Sequence, residues 1–359
     1  MKLRALLVPA ALFAVTISAM TQTVQPSPQT TSHKWSIVVH GGAGVIERKS
    51  MPPATEAAYR AAMKTAIETG AAVLEKGGTS LDAVQATIQY LEDNPLFNCG
   101  KGAVFTSDGR NELDSAIMDG ATLKAGAVAQ ITHTRHPIAA ARMVMEQSPA
   151  VMLAGPDADK FAASKGLEQV PNSYFFTERR WEGLIKQLQK EGKPIPPRPE
   201  GAPPAPAKPL AMLEPPDAHK WGTVGVVALD EAGNIAAGTS TGGLQAKLPG
   251  RIGDSPIIGA GTYASNHSCA VSGTGTGEYF IRLTVAREVC ALVEDKHMKL
   301  QDAADEVIHK QLQDLHGDGG VIAIAPDGEM AWSFNTPGMY RARMSQGGQP
   351  TIAIYNDEP

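Results

Sequence analysis

The sequence predicts an α+β fold in which antiparallel sheets are stacked on one another and covered by helices. Two observations lead to this prediction. Candidate strands come in pairs joined by short turns, as at 230–234 and 326–328, and such hairpins build antiparallel sheets. Candidate helices also come in pairs, so the chain lacks the strand–helix alternation of a doubly wound parallel sheet.

The first half of the chain contains both kinds of element. A β-type run at 35–40 ends in the glycine-rich segment HGGAG (40–44). The alanine-rich stretch 54–75 predicts a helix, and Ser80 is expected to cap a second helix that ends near residue 93. Further predictions are strands at 103–106, 111–119 and 127–132 and a helix over 137–147.

The second half opens on a run that is typical of a buried strand. Residues 224–229 are almost continuously apolar, and 235–240 can return as the hairpin partner. The remaining predicted elements are helices at 278–295 and 300–315 and a hairpin over 321–334.

Composition excludes several classes of function. The chain has 359 residues, 43% hydrophobic and 19% charged, with a net charge of −5. It lacks a basic stripe with interleaved aromatic residues, so we expect no nucleic-acid partner. The histidines and cysteines lack the spacing of metal-binding motifs, so we expect no catalytic transition metal. Three cysteines allow at most one disulfide within the chain, and the sequence does not show whether it forms.

The N-terminus has the pattern of a signal peptide, predicted over 1–20. Lys2 and Arg4 precede an apolar run at 5–19. A membrane anchor is the alternative, but the run is shorter than the roughly 20 residues that a span prefers. Residues 21–33 are polar and predicted to be a disordered leader. We therefore expect a secreted protein, located in a bacterial periplasm, without a stable membrane anchor.

A proline-rich segment divides the chain. Residues 191–216 contain ten of its 26 prolines, which removes backbone donors and excludes a helix. The segment 191–220 is therefore predicted to be an extended or disordered linker. It separates a part that runs over 34–222 from a part that runs over 223–359.

Thr223 is a candidate nucleophile because it opens the apolar strand directly after this linker and Gly222. A threonine hydroxyl needs a base beside it. Cleavage of the Gly222–Thr223 bond would create an α-amine with a pKa of about 7.7–8.0, which can serve as that base. The local sequence alone also fits an ordinary threonine at the start of a strand.

Two further loops carry groups suited to chemistry. Arg251 and Asp254 lie three residues apart in a Gly/Pro-rich loop, where they can recognise the carboxylate and ammonium of an amino acid; a surface ion pair is the alternative. The segment GTGTGE (273–278) precedes a predicted helix and can bind an anion or an oxyanion. It lacks a P-loop lysine, which argues against nucleotide binding.

Taken together, these pieces resemble the isoaspartyl peptidase/plant-type L-asparaginase family of N-terminal nucleophile hydrolases. The resemblance runs from about residue 36 to the C-terminus. Its matching segments are HGGAG (40–44), NPLFNCGKGAVF (94–105), ELDSAIMDG (112–120), GTVGVVALD (222–230), TSTGG (239–243), KLPGRIGDSPIIGAGTYA (247–264), GTGTGE (273–278) and FNTPGMYRA (334–342).

The resemblance implies a four-layer αββα sandwich that cuts itself into two chains. The α chain would end at Gly222 and the β chain would start at Thr223, with an (αβ)2 assembly. The implied activity is hydrolysis of β-aspartyl amide bonds in small molecules or dipeptides, namely L-asparagine and isoaspartyl dipeptides, without a catalytic cofactor.

The resemblance also assigns roles to individual residues. Thr223 would be the nucleophile and Thr241 its hydrogen-bonding neighbour. The remaining assignments are Arg251 and Asp254 for the substrate α-carboxylate and α-ammonium, Thr274 and Gly275 for the oxyanion hole, Gly277 facing the substrate, and Asn98 near the nucleophile. A loop that often holds a structural sodium ion in this family corresponds to the backbone carbonyls of Leu91, Glu92, Asn94, Phe97, Cys99 and Lys101, and oxygen ligands suit such a hard cation.

The chain departs from the family pattern at a few positions. Cys99 stands where a small residue is more usual, and Gln245-Ala246 replaces the commoner Thr-Asn. Gly273 and Thr262 stand where cysteines are often found. Two other functions stay open. One is an aspartylglucosaminidase-like amidase acting on glycosylated asparagine, and the other is an exported binding protein that has lost activity.

Overall fold

The computed structural model describes residues 34–206 and 222–359. The predicted signal peptide and leader, and the stretch 207–221, lie outside the described residues. None of the described helices is both long enough and apolar enough to cross a membrane.

The described chain forms twelve strands and eight α-helices. The strands are β1 (Ser36–Gly44), β2 (Leu113–Asp119), β3 (Ala125–Ile131), β4 (Met152–Ala154), β5 (Val224–Leu229), β6 (Ile235–Thr241), β7 (Thr262–Ala264), β8 (Ala270–Gly275), β9 (Gly319–Ile324), β10 (Met330–Phe334), β11 (Gly338–Ser345) and β12 (Thr351–Tyr355). The helices are α1 (Pro53–Leu74), α2 (Ser80–Asp93), α3 (Pro137–Gln147), α4 (Gly155–Ser164), α5 (Glu178–Lys190), α6 (Gly277–Leu283), α7 (Val285–Lys296) and α8 (Leu300–Glu306).

The strands form two sheets. The larger has eight strands in the order β12-β11-β1-β5-β6-β2-β3-β4, and the smaller has four in the order β10-β9-β8-β7. Neighbouring strands are antiparallel except for the parallel pair β3 and β4. The mainly antiparallel arrangement confirms the preference for hairpin-built sheets over a doubly wound sheet.

The layers are stacked as helix, sheet, sheet and helix. Helices α1, α2 and α3 pack on the larger sheet, α7 and α8 pack on the smaller one, and β5 contacts both β8 and β9 across the sheet interface. Separate apolar cores fill the two helix–sheet layers and the space between the sheets. The four-layer αββα sandwich is therefore confirmed.

The position of strand β5 between two layers explains why its sequence is apolar on both faces. All six of its residues are buried, because one face meets the helix layer and the other meets the second sheet. Burying a valine side chain contributes about 1.5–3 kcal/mol. Burial therefore holds β5 firmly in the core, and Thr223 directly precedes the first residue of this strand.

Two predicted helices are interrupted. The helix expected over 278–295 breaks at Thr284, which has φ 50°, so that the backbone amides of Ala286 and Arg287 bond to Ala260 and Gly259 instead of to the preceding turn. The helix expected over 300–315 continues from α8 into one π-helical segment, Val307–Leu312.

Two smaller predictions are also corrected. Thr79, not Ser80, caps α2, because the Thr79 side chain accepts from the amide of Asp82 at 3.1 Å while the Ser80 amide donates to Asp230. The stretch 103–106 is not a strand and contributes only a bridge between Thr106 and Lys247.

The first half of the predicted linker, 191–206, has no helix or strand, which agrees with the extended alternative and not with the disordered one. Residues 191–206 pack on the body instead of being disordered, because Arg198 forms an ion pair with Glu178 and lies over the ring of Phe176 at 4.6 Å. Ala202 packs against the cluster of Phe105 and Trp181. The second half of the predicted linker, 207–220, lies outside the described residues.

Cys269 and Cys290 form a disulfide that joins the start of β8 to α7. Both cysteines are buried in the core of the second helix–sheet layer. The bridge answers the question that the sequence left open, and it cross-links two elements within the predicted β chain.

Candidate active site

Thr223 lies at the end of β5 beside Thr241 of β6. The antiparallel register pairs Val224 with Ser240, which places the two threonines next to each other. Thr223 Oγ1 donates to Thr241 Oγ1 at 3.0 Å, and Thr241 Oγ1 also accepts from the amide of Gly243 at 2.9 Å. The predicted nucleophile and its predicted neighbour are thus in hydrogen-bond contact.

Gly222 is tightly packed between Asn98 and Gly42. A Cβ on Gly222 would lie 2.8 Å from the Cβ of Asn98, and a Cβ on Gly42 would lie 2.6 Å from the Cα of Gly222. Real Cβ atoms do not approach so closely, so both positions require glycine. The peptide bond before Thr223 is therefore held in a tight slot that only the smallest residue fits.

Asn98 forms one wall of this slot. Its Nδ2 donates to Gly243 O at 2.8 Å, its Oδ1 accepts from the amide of Val104 at 2.9 Å, and its carbonyl accepts from Gly242. The side chain is thus used to fix two backbone segments beside Thr241. The structure places Asn98 near the nucleophile, as predicted, with both of its polar side-chain atoms engaged.

A small pocket opens from the nucleophile and contains most of the predicted site. Three of its lining residues, Gly243, Gly253 and Gly275, have no side chain and so leave room in the pocket. The lining residues are Thr223, Thr241, Gly243, Leu244, Arg251, Gly253, Asp254, Ser255 and Gly275. The nucleophile therefore faces a space with one arginine and one aspartate.

The two charged residues of the pocket are not paired with each other. Arg251 donates to the carboxylate of Glu278 at 2.9 and 3.0 Å. Asp254 is buried, and its Oδ2 has no hydrogen-bond partner among the described residues. Burial raises the pKa of Asp254 to about 7. A buried carboxylate without a partner is costly, and an incoming ammonium group would remove that cost.

Gly277 lies against both charged groups. A Cβ there would be 2.8 Å from Asp254 Oδ1 and 2.9 Å from Arg251 Nη2. The backbone at the start of α6 therefore approaches the place where an amino acid's two charged groups would bind. This position agrees with the predicted role of Gly277 beside the substrate.

Thr274 and Gly275 lie at the end of β8. Thr274 is fully buried, and its Oγ1 accepts from the amide of Ala43 at 3.4 Å. Gly275 lines the pocket and cannot carry a side chain, because a Cβ would collide with Asp318 O. Their placement fits the predicted oxyanion-binding role, and the contact with β1 explains why HGGAG belongs to the same site.

Two further buried ionisable residues, Lys247 and Asp114, were missed by sequence reasoning, and Lys247 lies against the pocket residue Gly243. Lys247 is buried, and its Nζ donates to Glu112 O at 2.9 Å. Burial lowers the pKa of Lys247 and raises the pKa of the nearby, fully buried Asp114. Lys247 precedes Arg251 by four residues in the sequence, but only the fold shows that its side chain is buried.

The predicted sodium loop is tightly packed at its two glycines. A Cβ on Gly100 would collide with Glu92 O, and a Cβ on Gly102 would lie 2.7 Å from Phe97 O. Arg179 donates to two loop carbonyls outside the predicted ligand set, those of Pro95 and Leu96. Two of the predicted carbonyls, those of Glu92 and Phe97, thus lie against glycines of this turn, and oxygen ligands suit a hard cation.

Cys99 is unsuited to redox chemistry. The thiol is fully buried and unpaired, and burial raises its pKa well above the usual value. Reactive cysteines need thiolate character and access to solvent. The departure from the family pattern at this position therefore changes packing beside Asn98 and adds no second reactive group.

Comparison with known proteins agrees with this geometry. The model of an asparaginase family matches residues 33–354. The isoaspartyl peptidase of Escherichia coli (strain K12) is 48% identical over 90% of this chain and 96% of its own length. A probable isoaspartyl peptidase/L-asparaginase 2 of Arabidopsis thaliana is 41% identical, covering 89% and 99%, and the human isoaspartyl peptidase/L-asparaginase is 36% identical, covering 87% and 93%. The chain belongs to this asparaginase family.

Proposed function

We propose that the protein is a self-cleaving amidohydrolase that cuts β-aspartyl amide bonds, in isoaspartyl dipeptides and in L-asparagine. The observation that carries this proposal is one pocket lined by a pair of hydroxyls and by two charged residues that are not paired with each other. Thr223 and Thr241 are 3.0 Å apart, and Arg251 and Asp254 line the same space. The charges match an amino acid, and the hydroxyl matches an acyl acceptor.

The first reaction is maturation. Thr223 Oγ attacks the carbonyl carbon of Gly222, and the bond from that carbon to the Thr223 nitrogen breaks. The nitrogen takes up a proton and becomes the free α-amine, while Gly222 is left as an ester on Thr223 Oγ. Water hydrolyses this ester, which releases the α-chain carboxylate. The tight packing of Gly222 between Gly42 and Asn98 supports this step, because it holds the scissile carbonyl beside the attacking oxygen.

The second reaction is turnover. The α-amine of Thr223 takes the hydroxyl proton as Oγ attacks the side-chain carbonyl of the β-aspartyl group. Thr274 and Gly275 stabilise the resulting oxyanion, and the presence of Gly275 in the same pocket as the nucleophile supports this assignment. The amine then passes its proton to the leaving nitrogen, and water hydrolyses the aspartyl ester to release aspartate.

Substrate class follows from the charges and the relatives. Arg251 offers a planar guanidinium to the α-carboxylate, and Asp254 offers a carboxylate to the α-ammonium. The relatives with 36–48% identity are named for isoaspartyl peptidase or L-asparaginase activity. These observations favour β-aspartyl substrates over the glycosylated asparagine of the alternative reading.

The assembly and the sodium site are part of the same proposal. We expect the two cleavage products to stay together as αβ units that pair as (αβ)2, since β5 is buried between elements of both chains. We expect the carbonyls of Leu91, Glu92, Asn94, Phe97, Cys99 and Lys101 to hold a sodium ion with a structural role. Bound sodium would fix the loop that presents Asn98, and no step of the reaction depends on it.

We also propose that the protein works outside the cytoplasm. The Cys269–Cys290 disulfide supports this location, because such bonds form and persist mainly in oxidising compartments. The signal-peptide pattern of residues 1–20 supports it independently.

Intact mass and N-terminal sequencing test the proposal directly. After incubation at neutral pH, the wild-type protein should yield a fragment that begins Thr-Val-Gly-Val, with release of aspartate from an isoaspartyl dipeptide. Thr223→Ala should remain uncut and inactive, whereas Thr69→Ala on the surface of α1 should behave like wild type. Two fragments from Thr223→Ala would refute the assignment of the nucleophile.

A further inference from the structure

A line of buried polar side chains crosses the apolar core between the two sheets. His40 Nε2 lies 3.0 Å from Ser272 Oγ, and Ser272 Oγ lies 2.7 Å from Thr239 Oγ1. Thr262 Oγ1 donates to Thr239 Oγ1 at 2.6 Å. All four side chains are fully buried. Polar groups in a core are costly unless they are hydrogen-bonded to one another, so the members of this line depend on each other.

One end of the line reaches the nucleophile. His40 pairs with Gly225 across β1 and β5, two residues beyond Thr223. The imidazole ring also lies near the backbone of Thr223, while its Nδ1 has no hydrogen-bond partner among the described residues. His40 therefore packs against the strand that carries the nucleophile, two residues from Thr223.

The other end reaches the loop of the substrate-binding carboxylate. Thr262 Oγ1 lies 3.1 Å from the carbonyl of Ser255, the residue that follows Asp254. Thr239 Oγ1 lies 3.1 Å from Gly261 O, and the amide of Gly261 donates to Asp254 O at 3.1 Å. The line thus joins the strand of the nucleophile to the loop that binds the substrate's ammonium.

Gly225 makes room for this arrangement. A Cβ at Gly225 would collide with both Ser272 Oγ and His40 Nε2. The apolar strand β5 therefore has a glycine at the position where the imidazole of His40 and the hydroxyl of Ser272 pack against its backbone. This glycine belongs to the same feature as His40 and Ser272.

His40 acts as a neutral group. Burial lowers its pKa to about 3, so the imidazole stays uncharged in the working pH range and has one donor and one acceptor nitrogen. A neutral ring with this low basicity does not take the proton of Thr223. Its Nε2 is fixed by Ser272 Oγ, so the ring is suited to hold the geometry of the adjacent strand rather than to transfer a proton.

We propose that His40 is a positioning residue for Thr223, held in one orientation by the hydroxyls of Ser272 and Thr239. The inference rests on the proposed function and adds a group that does not touch substrate. Loss of the orientation would displace Thr223 Oγ relative to Thr241 and to the scissile carbonyl. A misplacement of about 1 Å can reduce the rate about a hundredfold.

The test uses Thr239→Val, which removes the hydroxyl while keeping the shape of the side chain. For the cleaved protein we expect kcat to fall by about ten- to a hundredfold with KM nearly unchanged, and self-cleavage to slow as well. Thr239→Ser restores the hydroxyl and should recover most of the rate. Ser272→Ala provides the same measurement should Thr239→Val not fold.

Thr87→Val is the matched control. Thr87 is also fully buried, and its hydroxyl donates to Ala83 O at 2.8 Å within α2, away from the site. Both valine variants should lose stability, but only Thr239→Val should lose kcat. Equal losses of Tm with kcat unchanged in both would overturn the proposal and make the line purely structural. An uncut, inactive wild-type protein would refute the proposed function instead, so the two failures are distinguishable.

Discussion

Arg251 donates two hydrogen bonds to the carboxylate of Glu278, at 2.9 Å from Nε and 3.0 Å from Nη2. Arg251 is also the proposed partner of the substrate α-carboxylate, so Glu278 engages donors that the substrate needs. The Glu278 side chain is 53% exposed, and an ion pair in such a position contributes about 0–1 kcal/mol. The substrate must therefore displace or share this contact at a small cost.

Replacement of Glu278 by glutamine should consequently improve substrate binding. Glu278→Gln keeps the size of the side chain and removes the competing charge, so we expect KM for an isoaspartyl dipeptide to fall by up to about fivefold with kcat unchanged. Steady-state kinetics measure both values. Glu294→Gln is the control, because Glu294 pairs with Arg287 on α7. A higher KM for Glu278→Gln would show that Glu278 orients Arg251 instead of competing for it.

Asp254 should make stability depend on pH. Burial raises its pKa from 3.8 to about 7, so the folded protein binds this proton more tightly than the unfolded chain does. The stability that comes from the neutral form is lost as the pH rises from about 4 to about 7. Asp254→Asn mimics the neutral form, and its advantage in Tm over Asp254 should therefore grow between pH 5 and pH 8.

The comparison is best made in the uncut Thr223→Ala background, so that both proteins have the same chain ends. Thermal unfolding at several pH values measures the difference in Tm. Asp327→Asn in the exposed turn between β9 and β10 is the control, and its difference should not change with pH. A constant difference for Asp254→Asn would mean that Asp254 is ionised across this range and has a partner in solution.

The sequence was most informative where the residues of the site lie close together in the chain. Arg251 and Asp254 share one loop, and Thr223 opens an apolar strand, so local reasoning could name them as candidates, and the family resemblance then implied their roles. Glu278 was not identified, although GTGTGE was singled out, because its contact with Arg251 arises only when α6 packs over the loop. His40 was hidden for the same reason: its partner Ser272 is 232 residues away and in the other sheet.

The helix predictions show a second limit. The break at Thr284 comes from backbone bonds of the following residues to 259–260, and helix propensity contains no information about such long-range partners. The packed linker segment has a similar origin. Proline content correctly excluded a helix over 191–206, but the ion pair between Arg198 and Glu178 that holds the segment depends on tertiary structure.

The contacts of Arg198 should protect the segment 191–206 from proteolysis. The guanidinium pairs with Glu178, lies over Phe176 and donates to Pro203 O at 2.7 Å. Arg198→Ala removes all three contacts, so we expect a glutamate-specific protease to cut after Glu200 faster than in wild type. Mass spectrometry of the α chain over time measures the rate. Lys193→Ala, which removes only an exposed pair with Glu191, should leave the rate unchanged, and equal cutting of wild type and Arg198→Ala would mean that the packing is not rate-limiting.

Ala246 offers a stabilising substitution two residues after Leu244, which lines the pocket. Its φ is 57°, a left-handed conformation that is unfavourable for alanine by about 1 kcal/mol and better tolerated by asparagine. The side chain is half-buried, so an amide can reach water. Ala246→Asn should therefore raise Tm by about 2 °C. The same substitution at Ala232, an exposed turn residue without positive φ, should have no such effect. An unchanged or lower Tm for Ala246→Asn would mean that the contact of Ala246 with the neighbouring aromatic cluster outweighs the relief of backbone strain.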